Sequence, residues 1–299
     1  MKSLTLKQLR YFEALARTGQ FGRAAEDCAI TQPALSMQIK ELESQLGAPL
    51  VERSARRVRL TTLGQQFAAR ARDILRAVYE LGDLARADGD QFSGPLRIGV
   101  IPTVAPYLLP RLIQALGRQF PALDPQPRET VTQRLIEDLL ESRLDIAIVA
   151  LPVSEPALHE EPLFEEEFVL VRPASEEGAM VPSADHLKEM RLLLLEEGHC
   201  FRDQALSFCN LPQAPRGLME GSSLSTLVQM VGAGIGVTLI PEMAVELETR
   251  NAVVSVARLS RPRPSRTIGM VWRRSNPLAN RFAQIAQIVS DTGRAGPRG

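Results

Sequence analysis

Thr31-Gln32-Pro33-Ala34-Leu35-Ser36-Met37-Gln38-Ile39-Lys40 is the stretch that decides the first half of the fold. Thr31 carries a side-chain oxygen suited to the free N–H groups of a helix start, and Pro33 sits in the first turn, where a missing N–H costs nothing. Apolar residues then recur at helical spacing towards Leu46, and Gly47 ends the run. Upstream, Leu6, Leu9, Phe12, Leu15 and Ala16 form a stripe of the same period, and residues 21–28 predict a short helix with small Ala24 and Ala25 inside it. Helix, short helix, tight turn and helix in that order make a helix-turn-helix.

A helix-turn-helix lays the first residues of its last helix in a DNA major groove. Here these are Thr31, Gln32, Pro33, Ser36, Met37 and Lys40, a mix of hydrogen-bonding, apolar and cationic groups suited to base edges and phosphates. Residues 50–60 follow as a basic wing, in which Arg53, Arg56 and Arg57, with Arg59 beyond them, are expected to contact the DNA backbone. Taken alone those arginines would read as a solvated loop. The formal net charge is zero, so the sum says nothing about nucleic acid; residues 1–92 nevertheless carry 14 Lys and Arg against 11 Asp and Glu.

From Thr62 to about residue 87 the pattern is one long helix, with Phe67, Ala71, Ile74, Val78, Leu81 and Ala85 at steps of four and three. A seam of that kind predicts a dimerising linker, with a core helix of a single chain as the plainer alternative. Beyond the Gln91-Phe92-Ser93-Gly94-Pro95 hinge, strands alternate with helices to residue 290. The expected fold is α/β with mainly parallel sheets and a ligand crevice at the strand ends, preceded by an all-α part.

No continuous apolar stretch marks the N-terminus and no run reaches the roughly 18 residues of a membrane span, so the expectation is a cytoplasmic protein with no membrane contact. Three cysteines and three histidines at these spacings offer no metal site, and no cofactor is expected.

Cys200 and Cys209 stand out. The segment from residue 200 to 209 predicts a short helix, along which nine steps span about 13 to 14 Å. A disulfide needs Cα atoms about 4.4 to 6.8 Å apart, so the pair can bond only if the helix comes apart. His199, Arg202 and the helix N-terminus after Gly198 favour a thiolate at Cys200, while Leu206 and Phe208 suggest that Cys209 is buried. Two ordinary core cysteines remain the competing account.

Phe12-Glu13-Ala14-Leu15-Ala16, Arg23-Ala24-Ala25, Thr31-Gln32-Pro33-Ala34-Leu35-Ser36, Leu42-Glu43 and Leu46-Gly47 resemble the DNA-binding domain of LysR-type transcriptional regulators. The resemblance extends over the whole chain, and Gly198-His199-Cys200-Phe201-Arg202-Asp203-Gln204-Ala205 is similar to the peroxide-sensing members of that family.

The resemblance implies a winged helix-turn-helix over residues 1–60, a dimerising linker helix and hinge over 61–92, and a two-subdomain regulatory domain like a periplasmic binding protein. Subdomain I would comprise residues 93–165 and 267–299, and subdomain II residues 166–266. It implies further that hydrogen peroxide oxidises Cys200, that Cys209 resolves it to a reversible disulfide, and that Thr103, Thr132, His199, Asp203 and Arg266 bind the peroxide. The implied partners are double-stranded promoter DNA, RNA polymerase, a cellular thiol reductant and other copies of the chain, as a homodimer paired into a homotetramer. Two rivals stand beside this: a LysR-type regulator of a small metabolite whose cysteines are incidental, and a thiol peroxidase. A reading head and a dimerising rod serve no purpose in the latter, so no enzyme activity is expected. Cys28 is expected to be a packing residue.

Overall fold

A computed structural model of the chain describes residues 4–52, 58–89, 92–182, 187, 190–209 and 219–294. It divides into two compact units, Met1–Leu84 and Ala85–Gly299.

In the first unit, α1 (Leu6–Thr18), α2 (Phe21–Asp27) and α3 (Gln32–Leu46) close around Phe12, Leu15, Leu35, Ile39 and Leu42. The ends are locally fixed. Thr5 and Gln8 cap α1 reciprocally, Thr31 accepts the Ala34 N–H at the start of α3, and Gly19 and Gly47 terminate α1 and α3 in the left-handed region. Strands β1 (Val51–Glu52) and β2 (Arg59–Leu60) pair antiparallel as the wing. Arg59 is exposed; Arg53, Arg56 and Arg57 lie outside the described residues.

α4 (Thr62–Asp88) follows, its first turn capped by the Thr61 hydroxyl, which accepts the Gly64 N–H. A Cβ at Gly64 would stand 2.0 Å from the Leu50 carbonyl oxygen, so only glycine lets α4 lie against the wing. The expected seam divides in two. Phe67 meets Phe12 edge-on at 5.4 Å, and Ala71 is buried with Leu9 and Leu75, so both serve the core of their own chain. Ile74 and Leu81 stay exposed at 47% and 66%, and Leu84 joins them on the surface.

In the second unit β3 (Gly94–Val100), α5 (Ala105–Gln119), β4 (Leu123–Glu129), α6 (Thr132–Leu140) and β5 (Ile146–Leu151) lead into the sixteen-residue β6 (Leu158–Pro173). Then come β7 (Leu192–Leu195), the cysteine helix Cys200–Phe208, β8 (Glu220–Gly221), β9 (Val237–Pro241), β10 (Val254–Arg258), β11 (Ser265–Arg273) and a last helix, Ala279–Arg294. The strand order is β4-β3-β5-β11-β6-β9-β7-β8, with β10 along β6. β3 is parallel to β4 and β5, and β7 to β8 and β9, but β6 and β11 run antiparallel to their neighbours. These two strands carry the chain between two apolar cores. One gathers Leu96, Ile98, Leu135, Ile148 and Met270, the other Leu170, Leu194, Leu227, Val228 and Leu239.

Among these strands β4, Leu123–Glu129, holds Pro125 and Pro127. Proline cannot donate to a ladder and is tolerated on an edge, and β4 is the edge strand beside β3.

Candidate functional site

The cysteine helix begins where Gly198, at φ +96, turns the chain out of β7. His199 occupies the cap position without a side-chain cap bond, and Cys200 is the first helical residue. Cys200 is half-buried against the first of the two apolar cores. Cys209, at the other end, is fully buried in the second. Neither sulfur is joined in a disulfide.

Opposite Cys200 lie the end of β3 and the start of α6. A tight pocket joins Cys200, His199 and Phe201 to Ile101, Thr103, Val131 and Thr132. A cavity of about 450 Å³ adjoins it, lined by Thr132, Cys200, Asp203, Gln204 and Arg266 among others. Thr132 opens α6 but caps nothing: Val131 is at the cap position, and the Thr132 Oγ1 is buried without a hydrogen-bond partner. Thr103 is 2% exposed, and its Oγ1 accepts from Arg266 Nη1 at 2.7 Å while its carbonyl accepts from Nη2 at 3.1 Å.

Arg266 is buried and paired with Glu166, which accepts from Nε at 2.8 Å. The two residues are register partners across β11 and β6, so the strand pairing itself brings them together. Phe201, the residue after Cys200, lies under the guanidinium at 5.3 Å and meets Phe168 edge-on at 4.7 Å. Arg266, assigned to the pocket by resemblance alone, thus touches Thr103 directly and borders the cavity that Cys200 borders.

Two expectations about the charge around Cys200 need correction. Arg202 is buried, and its Nη1 donates to the Leu195 carbonyl at 2.6 Å and pairs with Glu220 at 2.7 Å. Its charge is used to fasten the helix to β7 and β8. Burial lowers the pKa of His199, outweighing the opposing pull of Glu196 and Glu129, so the ring is held towards its neutral form. The helix N-terminus remains beside the sulfur. Asp203 is exposed on the cavity rim.

Gln204 belongs to the same stretch, Gly198–Ala205, as Cys200. It lines the cavity with Cys200, and its Oε1 is buried without a hydrogen-bond partner. The signal was available: four residues from Cys200 on a helix is the same face. Cys28 is distant in chemistry as well as sequence, its thiol pKa raised by burial and then by Asp27 and Glu13. Among the described residues no group of His, Cys, Asp and Glu could hold a metal ion.

In the first unit, Thr31, Gln32, Pro33, Met37 and Lys40 share the exposed side of α3, with Ser36 partly covered, while Leu35, Ile39 and Leu42 face the core. Met37 is 63% exposed, unusual for a large apolar side chain and suited to a thymine methyl.

Known proteins share both halves. Residues 6–65 match the bacterial regulatory helix-turn-helix protein family of LysR type, and residues 89–294 match the LysR substrate binding domain. The chain is 41% identical over 290 residues to the DNA-binding transcriptional dual regulator OxyR of Escherichia coli K12, covering 96% of this chain and 95% of that one. It is 40% identical over 294 residues to the hydrogen peroxide-inducible genes activator of Haemophilus influenzae, covering 96% and 97%. A solved full-length OxyR variant from Pseudomonas aeruginosa matches with a TM-score of 0.73 at 37% identity, covering 100% of this chain and 99% of that one. A Corynebacterium glutamicum OxyR mutant with hydrogen peroxide bound matches with a TM-score of 0.67 at 33% identity, covering 97% and 93%. From its reading helix to its last strand, the chain belongs to the LysR family of bacterial helix-turn-helix regulators, in its OxyR branch.

Proposed function

We propose that this protein is a hydrogen-peroxide-sensing transcriptional regulator switched by a reversible Cys200–Cys209 disulfide. One observation carries the proposal: Cys200 starts a helix in a pocket with Thr103 and with the unpartnered hydroxyl of Thr132, while Cys209 lies in the other core. The Cys200 thiolate attacks one peroxide oxygen; the S–O bond forms as the O–O bond breaks, and the departing hydroxide takes a proton to leave as water. The sulfur is oxidised by two electrons to a sulfenic acid. The Cys209 thiol then displaces that hydroxyl as a second water, giving the disulfide, and a cellular dithiol reverses it.

Thr103, Thr132 and Gln204 supply the hydrogen bonds that hold the peroxide, Arg266 fixes Thr103, and His199 and Asp203 shape the pocket. A solved relative with hydrogen peroxide bound supports peroxide as the ligand. The exposed face of α3 reads promoter DNA with the wing on its backbone, and the apolar stripe of Ile74, Leu81 and Leu84 pairs chains into a dimer, with dimers joined into a tetramer. RNA polymerase is the downstream partner, in the cytoplasm.

Mass spectrometry of peroxide-treated full-length protein tests the core of this. A Cys200–Cys209 link is expected; an adduct at Cys28 alone overturns it. The 450 Å³ cavity favours a second reading, a small-metabolite effector beside Cys200. Transcription that responds to such a metabolite and not to peroxide would establish that one instead.

A further inference from the structure

We propose that Glu166 is a positioning residue for the reaction at Cys200, acting through Arg266 on the hydroxyl of Thr103; this rests on the peroxide reading above. Glu166 is 6% exposed and Arg266 4%, so each is the counter-charge that makes the other's burial affordable. The carboxylate uses one oxygen, Oε2, for both Arg266 Nε at 2.8 Å and Nη2 at 2.7 Å. Its other oxygen, Oε1, accepts the Met243 backbone N–H at 3.1 Å. A carboxylate held at both ends fixes the guanidinium plane, and a fixed plane delivers Nη1 to Thr103 Oγ1 at 2.7 Å.

The consequence is one of direction. A hydroxyl has one proton to give. Because Arg266 can only donate, it turns Thr103 into an acceptor on that side, and the Thr103 O–H must point elsewhere. Thr103 shares its tight pocket with Cys200. A donor aimed there meets the peroxide oxygen that departs as hydroxide when the S–O bond forms. Glu166 touches neither the sulfur nor the pocket; it sets the geometry of the residue that does.

The experiment uses reduced full-length protein and follows the Cys200 peptide by mass spectrometry against two reagents, hydrogen peroxide and iodoacetamide. Alkylation by iodoacetamide needs the thiolate and access but no donor to a leaving oxygen. Glu166→Gln is expected to slow oxidation by about tenfold, less than the 100-fold or more seen when a direct donor is removed. Its iodoacetamide rate should match the parent, and in a Thr103→Val background it should cost nothing further.

An unchanged peroxide rate, an equal slowing with both reagents, or a full additional loss on top of Thr103→Val would each overturn the proposal. If circular dichroism shows Glu166→Gln misfolded, Glu166→Asp carries the test: it keeps the counter-charge but withdraws it by one methylene, and a peroxide rate equal to the parent overturns the proposal. Should the parent Cys200 itself react with peroxide no faster than a free thiol, the peroxide reading fails first, and the two failures are told apart.

Discussion

α3 and the cysteine helix each present a short row of chemical groups, yet they are held in opposite ways. α3 has 15 residues, a threonine cap, a proline in its first turn, a left-handed glycine at its end and a buried face of Leu35, Ile39 and Leu42. The cysteine helix has nine residues, no side-chain cap at His199, and a C-cap at Cys209 that is not left-handed. Nine residues are too few for a helix to persist on its own. Phe201, Ala205 and Leu206 in the second core, and Arg202 on Leu195 and Glu220, hold it in place. The surface that reads DNA is fastened at both ends, and the segment that the proposed switch rearranges is fastened in the middle.

Magnitudes agree with that division. Closing the ten-residue loop from Cys200 to Cys209 costs about 2.7 kcal/mol of entropy in an unfolded chain. Exposing Phe201 and Leu206 costs a further 1.5–3 kcal/mol or so for each. The helix does not open by itself to that extent, so in the proposed switch the drive for rearrangement comes from the chemistry at Cys200.

The sharpest way to break the comparison is Cys200→Ser. Peroxide should then leave the DNA footprint of the protein unchanged, although DNA binding and folding persist; a footprint that still shifts would remove Cys200 from the switch. Next is Gly64→Ala, where the added methyl meets the Leu50 carbonyl. The DNA-binding unit should lose about 1–3 kcal/mol, read in its thermal unfolding, with no change in the rate of Cys200 oxidation.

Thr31→Ala should cost the same unit about 1 kcal/mol by removing the α3 cap, again without effect on the thiols. His199→Asn supplies the cap that the cysteine helix lacks, worth about 1 kcal/mol, and disulfide formation after the sulfenic acid step should slow by about fivefold. A faster second step would mean that the helix does not have to open.

The smallest effect is on pH. Burial lowers the folded pKa of His199 below its ordinary 6.5, so as pH falls the unfolded chain takes up the proton first. Stability contributed by the neutral ring is intact above about 6.5 and declines as pH falls towards the lower folded value. Melting temperatures at pH 7.5 and about 5.5 should differ less in His199→Asn than in the parent.

The reading helix was legible because everything that defines it is local: Thr31, Pro33 and Gly47 lie within seventeen positions and speak of one helix. The cysteine pair was equally visible, and so was the separation imposed by nine helical steps. What surrounds Cys200 was not. Thr103 and Arg266 are 163 residues apart and Glu166 reaches Arg266 across 100, contacts that strand register makes and no local pattern announces. Arg202 misled for the same reason: its neighbours in sequence suggest a charge beside Cys200, but Glu220 claims it from another strand. Resemblance supplied Arg266 and Thr132 where periodicity could not, and it left Glu166 unmentioned.

In the proposed switch, the placement of the two sulfurs in separate cores also sets a clock. Once Cys200 is oxidised its partner is a helix length away, so the sulfenic acid must outlive the opening of that helix before it can be captured within the chain. During that interval any small thiol that reaches the cavity competes for the same sulfur. The duration of the response in that switch is a race between the local opening rate and the free thiol concentration around the protein, and the stability of nine residues decides which finishes first.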